Sequence, residues 1–400
     1  MADPPRWTTR IRAERKARSW DVHSMARRLR DAAGDDRRDL PGHEALVRSI
    51  RRWESGRIAL LSERYRLLFC QALGMSESRL FGEAAEVPRP RHPIEAHDDL
   101  AAMYSFRGAD RRVGGGHLYA TVVRYLERDV APRLFGGNDG PTAFNAAAAF
   151  TEMAGWMAHD AGQDAAAERH FARALDLARV GGDRQLEAHI LGSMSHLAQH
   201  LGHADEAVRR AYQGSAVLSG TTAPETQARL LAVAARGFAS LGESAQCARS
   251  LLQAEDALGR GPEDGRSPWA GPFDEGALAI SAAAAMLALG QLGEARRHAA
   301  RAVALRPGDR TRSRALGQVV LAKVLLAEGD HHAACRMTMA VVDGTQSLGS
   351  LVVTRQLAGL RASLEAYRGE EVVAGRLAVL DAALGERRWL YQWRGSDREA

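Results

Sequence analysis

Between residues 141 and 385 a glycine recurs behind an apolar helical segment at a nearly constant interval. Gly162, Gly202, Gly242, Gly290, Gly329 and Gly369 are spaced 40, 40, 48, 39 and 40 residues apart. Five residues beyond each stands a small residue: Ala167, Ala207, Cys247, Ala295, Ala334 and Ala374. A period of this length constrains the fold more than any motif, because one such unit holds two helices that cannot bury their apolar faces alone. Each unit reads as helix, glycine turn and Ala-rich helix, as in 152–161 followed by 164–180. Small residues let the paired helices approach closely, and stacking the pairs makes one continuous core. The single long interval carries a Gly/Pro-rich insert at 259–272 that contains Trp269. The expectation is an all-α chain with an α-solenoid over 141–385.

The first fifth of the chain has a different character. Residues 1–82 hold 18 Lys/Arg against 11 Asp/Glu, and the remainder holds 36 against 38. The overall charge of +5 therefore hides an N-terminal excess, placed where binding of a polyanion needs it. Within it, 46–57 reads Leu-Val-Arg-Ser-Ile-Arg-Arg-Trp-Glu-Ser-Gly-Arg. Ile50 and Trp53 lie three apart on one helix face suited to burial, while Arg48, Arg51 and Arg52 project elsewhere. Gly56 stands where a helix C-cap needs positive φ, with Arg57 beyond it. A short helix with a buried seam and a cationic outer face is what entry into a major groove demands. An ordinary amphipathic helix with solvated arginines is the plainer reading.

The flanking sequence supplies four more short helices. Residues 8–19 form a first, carrying Ile11. Asp21 caps a second, whose Val22, Met25, Ala26 and Leu29 make one apolar stripe. Residues 31–42 are a charged breaker containing Gly34, Pro41 and Gly42. Residues 62–73 form a helix with Tyr65, Leu68, Phe69 and Leu73 inward, ended by Gly74, and 76–81 make a last turn. This order is that of a compact helix-turn-helix domain over 1–82.

The segments 20–29, 50–57 and the closing Gln71-Ala72-Leu73-Gly74-Met75 resemble the Cro/repressor-type helix-turn-helix, often called the XRE family, over about 80 residues. That resemblance implies that Val47, Arg48 and Arg52 face base edges of double-stranded DNA. It also implies that Ser49, Ser55 and Arg57 contact phosphates, helped by backbone amides near Gly56. Two departures stand out. The turn between the second and third helices is much longer than the family's usual few residues, and Val22 replaces a polar residue that commonly touches phosphate there. The extra residues either lengthen the third helix, from about His43, or form a separate contact loop. The repeats at 141–385 resemble tetratricopeptide repeats in a longer form of about 40 residues, lacking the usual first tryptophan and closing proline in most copies.

Residues 83–97 read as a linker, with Pro88, Pro90 and Pro93 among Arg89, Arg91 and His92 favouring an extended chain. Residues 98–140 read as a helical connector, helical at 98–107 and 118–134. The triplet 114–116 lacks the spacing of a dinucleotide loop and reads as a turn. Residues 386–400 read as an aromatic tail, with Trp389, Tyr391 and Trp393, that either caps the last repeat or contacts a partner.

Several function classes find no support in the sequence. The two lysines, Lys16 and Lys323, lack a Gly-Lys-Ser/Thr context, so there is no Walker A loop. Cys70, Cys247 and Cys335 are isolated and read as buried thiols of a reducing cytosol. His196 and His200 are four apart but lack the glutamate of an H-E-x-x-H helix, and with His189 and His203 they read as solvated or capping rather than as a metal site. No nucleophile elbow or catalytic pair of carboxylates is present, so no catalytic residue, metal or cofactor is expected. The N-terminus lacks the apolar core of a secretory signal, and the uncharged run 276–293 fits a packed helix better than a membrane span. A cytoplasmic protein without membrane contact is expected.

Taken together, the basic helix-turn-helix and the repeat solenoid resemble a one-component transcription regulator of the kind common in high-GC actinobacteria. The implied partners are double-stranded DNA, a second copy of the chain in a homodimer, and a peptide, small-molecule or protein effector at the repeats. A repeat scaffold with non-specific or vestigial DNA binding, or an enzyme using the solenoid cavity, is the alternative.

Overall fold

The computed structural model describes residues 6–18, 20–34, 40–56, 61–75, 77–81, 96–134, 140–261, 266–306 and 310–396, with side chains described as far as 387. Its described residues are helices and turns without a strand, so the chain is all-α. Backbone packing divides it into two units, residues 1–91 with 388–400, and residues 92–387. The expected linker at 83–97 falls outside the described residues up to 95.

The first unit holds α1 (Arg6–Ala17), α2 (Val22–Ala32), α3 (His43–Glu54), α4 (Glu63–Leu73) and α5 (Glu77–Phe81). Local chemistry places their ends. The Asp21 carboxylate accepts from the Ser24 amide at 2.6 Å and starts α2. Gly74, at φ 63°, ends α4 in the left-handed conformation that glycine takes without a Cβ penalty. The Arg18 guanidinium then donates to the Leu73 carbonyl at 2.8 Å, satisfying one of the acceptors that a helix end leaves open. Inside, Ile11, Met25, Leu29, Leu46, Ile50, Leu68 and Phe69 are fully buried. Trp53 packs its ring against Tyr65 and Phe69, with centroids 4.4 and 5.9 Å away.

The second unit begins with α6 (Ala96–Val113), a tight turn at Gly115–His117 and α7 (Tyr119–Tyr125), followed by a wide π-helical turn at Leu126–Val130 and a tight turn at Ala131–Leu134. Six helical hairpins follow: α8 (Gly140–Asp160) with α9 (Asp164–Gly181), α10 (Arg184–His200) with α11 (Ala204–Val217), and α12 (Pro224–Ser240) with α13 (Ser244–Gly259). The remaining three are α14 (Glu275–Ala288) with α15 (Leu292–Ala304), α16 (Thr311–Ala327) with α17 (His331–Gly344), and α18 (Leu351–Leu364) with α19 (Glu371–Ser396). The first helices of successive hairpins pack on one another as an inner layer, and each second helix packs on the hairpin that follows. This is a solenoid-like arrangement.

The repeat signal works through close packing. Ala167, Ala207, Cys247, Ala295 and Ala334 are each completely buried, and the five glycines from Gly162 to Gly329 all take positive φ. The sixth copy departs from this. Gly369 is not among the positive-φ glycines, Ala374 is only half-buried, and Val373 and Leu377 take the inward positions instead. A turn at Glu365–Tyr367 has shifted the phase of α19 by one residue.

Two boundaries and the place of Trp269 add to the sequence reading or differ from it. Residues 98–140 are not a separate connector, because Met103, Phe106, Val122, Tyr125 and Val130 share a core with Phe150 and Met157 of α8. The tail expected at 386–400 is a continuation of α19 as far as Ser396. Trp269 of the insert is buried in that same first core, near α8 and α10, far back along the chain. Among the described residues no helix is long and apolar enough to cross a membrane.

The array also returns on itself. The Asp160 carboxylate at the end of α8 accepts from the Ser350 hydroxyl before α18 at 2.5 Å and from the Gly115 amide at 2.9 Å. Arg312 of α16 donates to both Asp110 oxygens at 2.9 and 2.7 Å and to Asp160 at 3.0 Å. The Gly349 and Gly116 amides complete the seam through Val113 and Gly349 carbonyls at 2.7 and 3.1 Å. A Cβ on Gly114 or Gly116 would sit 2.8 or 2.7 Å from the Gly349 carbonyl oxygen, so those glycines are needed for close approach.

Candidate functional site

α3 is amphipathic in a way that leaves its arginines outward. Leu46, Val47, Ile50, Trp53 and Glu54 are buried, whereas Arg48, Arg51, Arg52 and Ser55 are exposed. Positions 48, 51, 52 and 55 fall on one side of a helix, so three guanidiniums share a single solvent face. None of the three has an acidic partner among the described residues. Ser49 is half-buried beside this face, and the Ser55 hydroxyl donates to the Arg52 carbonyl at 2.7 Å. Gly56, at φ 75°, closes the helix as its spacing implied. Arg57 lies outside the described residues.

Val47 is a correction. It is 1% exposed and belongs to the core of the first unit, so it cannot reach a base edge. With the extra residues before it, α3 begins at His43, and a full turn precedes Val47 instead of a loop. The chain's departure in turn length thus lengthens the helix, the first of the two outcomes foreseen.

What orients α3 escaped the sequence reading. Glu54 is buried, and the Arg15 guanidinium of α1 grips it with two bonds of 2.7 Å, Nε to Oε1 and Nη2 to Oε2. The third side of that guanidinium donates to the Trp20 carbonyl at 2.8 Å. The fork geometry is one that Arg supplies and Lys cannot. On α2, Arg27 and Arg28 are exposed, and Arg28 lies over the Trp20 ring at 5.1 Å. His23 and His43 approach to 3.3 Å at the junction of α2 and α3. With Glu44 they place three candidate ligand atoms within 4.8 Å of one another.

A second concentration of polar groups lies on the inner helices of the repeat unit. Glu152 of α8 accepts from the Ser193 hydroxyl of α10 at 2.6 Å and from the Trp156 indole at 2.6 Å. Arg229 of α12 donates to Ser193 at 2.9 Å and to the His189 ring at 2.6 Å. Burial, then the Arg229 charge, pushes His189 down to about 4, so it is a neutral acceptor at physiological pH. Burial alone would raise the Glu152 carboxyl, but its hydrogen bonds and the Arg229 charge outweigh burial and hold it low. His189 is therefore part of a buried network and neither solvated nor a helix cap. His196 and His200 are half-buried, and His203 is exposed at the start of α11.

His159, Asp164 and His200 also bring three ligand-type atoms within 4.8 Å. However, the His159 Nδ1 and Asp164 already share a hydrogen bond of 2.7 Å, and Arg355 holds the other Asp164 oxygen at 3.2 Å. The three cysteines are buried free thiols.

No protein-family model matches the chain, and no curated protein matches its sequence. Among solved structures it is similar to BtubC (BKLC) from P. vanneervenii, at 17% identity over 58% of this chain and 91% of that one, with a TM-score of 0.40. A likeness that loose carries no argument about function.

Proposed function

We propose that this protein is a sequence-specific DNA-binding transcription regulator of the cytoplasm. In this reading its first unit is a Cro/repressor-type helix-turn-helix domain, and its second is a tetratricopeptide-like effector domain. The observation that carries the reading is α3, a helix bonded through Glu54 to Arg15 whose outward face is Arg48, Arg51 and Arg52 with no acidic partner among the described residues. Three unneutralised guanidiniums on one helix face match the negative phosphate rails and the guanine edges of a major groove. Arg48 and Arg52 are assigned to base edges, Arg51 and Ser55 to the backbone, and Ser49 to a flanking phosphate. Arg57 keeps the phosphate role implied by its place in the sequence. Two such heads in a homodimer read a pseudo-palindrome, and an effector at the repeats biases their spacing.

The test is selection of genomic fragments by the full-length protein beside an Arg48→Ala/Arg52→Ala variant, at one fixed near-physiological salt concentration. The wild type is expected to enrich a shared half-site and the variant to lose it, since each bidentate arginine–guanine pair discriminates by about 1–3 kcal/mol. Recovery of the same random fragments by both proteins refutes specific reading by α3.

A further inference from the structure

On the inner helices of the repeat unit Arg229 shares the Glu152 carboxylate, whereas Arg236 and Lys323 have no carboxylate partner among the described residues. The Glu152 Oε1 already accepts from Ser193 and Trp156, and Arg229 is the charge partner of that carboxylate. Arg236, two helical turns further along α12 on the same face, has no such arrangement. It is partly buried, and no acidic or hydrogen-bonding partner for it exists among the described residues. Around it stand other donors, and the nearest carboxylate of that cluster, Asp164 beside His200, is already bonded to His159 and Arg355. His196 and His200 of α10 and Lys323 of α16 are all within electrostatic reach of Arg236. The Lys323 ammonium is bonded to the neutral Gln356 amide oxygen of α18 at 2.6 Å. α14, packed between α12 and α16, is alanine-rich and contributes no charge beyond Glu275.

Withdrawing a charge from water without a counter-charge is unfavourable, and placing a second cation nearby adds repulsion. The unliganded fold carries that cost at Arg236 and Lys323. An anion seated between them removes it. Burial, then the neighbouring Arg236 charge, lowers the Lys323 ammonium, and the same two causes hold His196 well below its ordinary value. His196 is thus a neutral ring with one N–H to offer. It lies against the Trp156 ring, centroid to centroid 4.9 Å, which supplies a flat wall. The same positive surroundings argue against a metal ion at His159, Asp164 and His200.

We infer that the inner face formed by α10, α12, α16 and α18 binds a small organic anion through a phosphate or carboxylate group, with Arg236 and Lys323 as the charge partners and His196 and Trp156 as the adjoining wall. Calling this anion the effector rests on the regulator reading. Its binding does not, and is measured without DNA.

The experiment is thermal unfolding of the full-length protein in pyrophosphate or citrate, each against sodium chloride of equal ionic strength, for the wild type, Arg236→Met and Lys323→Met. The wild type is expected to gain several degrees from one of the two anions beyond the chloride control. A response to pyrophosphate alone identifies a phosphate site, and one to citrate alone a carboxylate site. Each variant is expected to weaken half-saturation tenfold or more. Arg236→Met is also expected to unfold at a higher temperature than the wild type when no anion is present, because it removes an uncompensated charge; a purely structural arginine would do the reverse. The inference is overturned if the wild type gains nothing beyond chloride. It is equally overturned if the gain survives both substitutions, which would place the anion on the arginines of the first unit, or if anion-free Arg236→Met is less stable.

Discussion

Replacing Glu54 with glutamine isolates the contact that aims α3. The native carboxylate is 5% exposed at its side chain and the Arg15 guanidinium 10%, and two bonds of 2.7 Å join them. Breaking a buried pair by removing one charge costs about 3–5 kcal/mol, because the surviving ion stays buried without compensation. Glutamine keeps an amide oxygen that still accepts one bond, so the lower end, about 3 kcal/mol, is expected. Arg12 approaches Glu54 at 3.6 Å but is half exposed and adds little. A unit of about 80 residues has roughly 4–12 kcal/mol of stability in total, so this loss is a large share. Hydrogen exchange of the full-length protein reads it directly. Amides in α1 and α3 are expected to exchange about 150-fold faster, tenfold for each 1.4 kcal/mol, while those in α10 to α13 stay unchanged. The double variant Arg15→Met/Glu54→Leu serves as the control. A packed apolar pair of similar volume is often neutral or stabilising, so it is expected to restore most of the protection. An acceleration below tenfold in Glu54→Gln, or a double variant no better than the single one, would show that the ion pair does not hold α3.

Two further perturbations address the repeat unit. Arg312→Met leaves the Asp160 carboxylate, 3% exposed, and Asp110 without their common cation. The expected loss is about 3–5 kcal/mol, seen as faster exchange in α6 and α18; a loss under 1 kcal/mol would mean that the return of α16 and α18 onto α6 and α8 does not depend on it. Asp274 caps α14 and binds Arg306 and Arg310 at 2.8 and 2.5 Å. Burial alone would raise its carboxyl, but the Arg306 and Ala277 hydrogen bonds and the arginine charges bring it down to about 2. A folded-state value below the unfolded one contributes stability that is complete above about pH 4 and lost as pH falls toward 2. Stability measured against pH is expected to fall less steeply in that window for Asp274→Asn than for the wild type, and parallel curves would contradict the assignment.

The features that reading the chain recovered are local ones. Asp21 as a cap, Gly74 as a stop, Ile50 and Trp53 as one buried face and the glycine period each depend on residues within about a turn of one another, where backbone geometry decides the outcome. Val47 was misplaced for an equally local reason. The resemblance puts it at a base edge, but three residues before Ile50 it shares the buried face of α3 with Ile50 and Glu54. The sixth repeat failed at Gly369 because the phase of a helix is set by the turn before it, and Glu365–Tyr367 differs from the other turns.

Charge distribution, helix content, the repeat and the cationic face of α3 follow from sequence alone, since they need only composition, spacing and the period of a helix. Which polar residues end up opposite one another does not. Glu54 reads as one more surface carboxylate until α1 brings Arg15 to it across 39 positions. Trp269 looks like part of a loose insert until it enters the core of the first hairpin. Glycines 114 and 116 look like an ordinary turn until the Gly349 carbonyl arrives against them. Arg236 reads as one arginine among many, and only the stacking of α10, α12 and α16 leaves it near two histidines and a lysine with no acidic partner of its own among the described residues. Such pairings come from the packing of apolar faces far apart in the chain, and that packing fixes where each buried charge must find its partner.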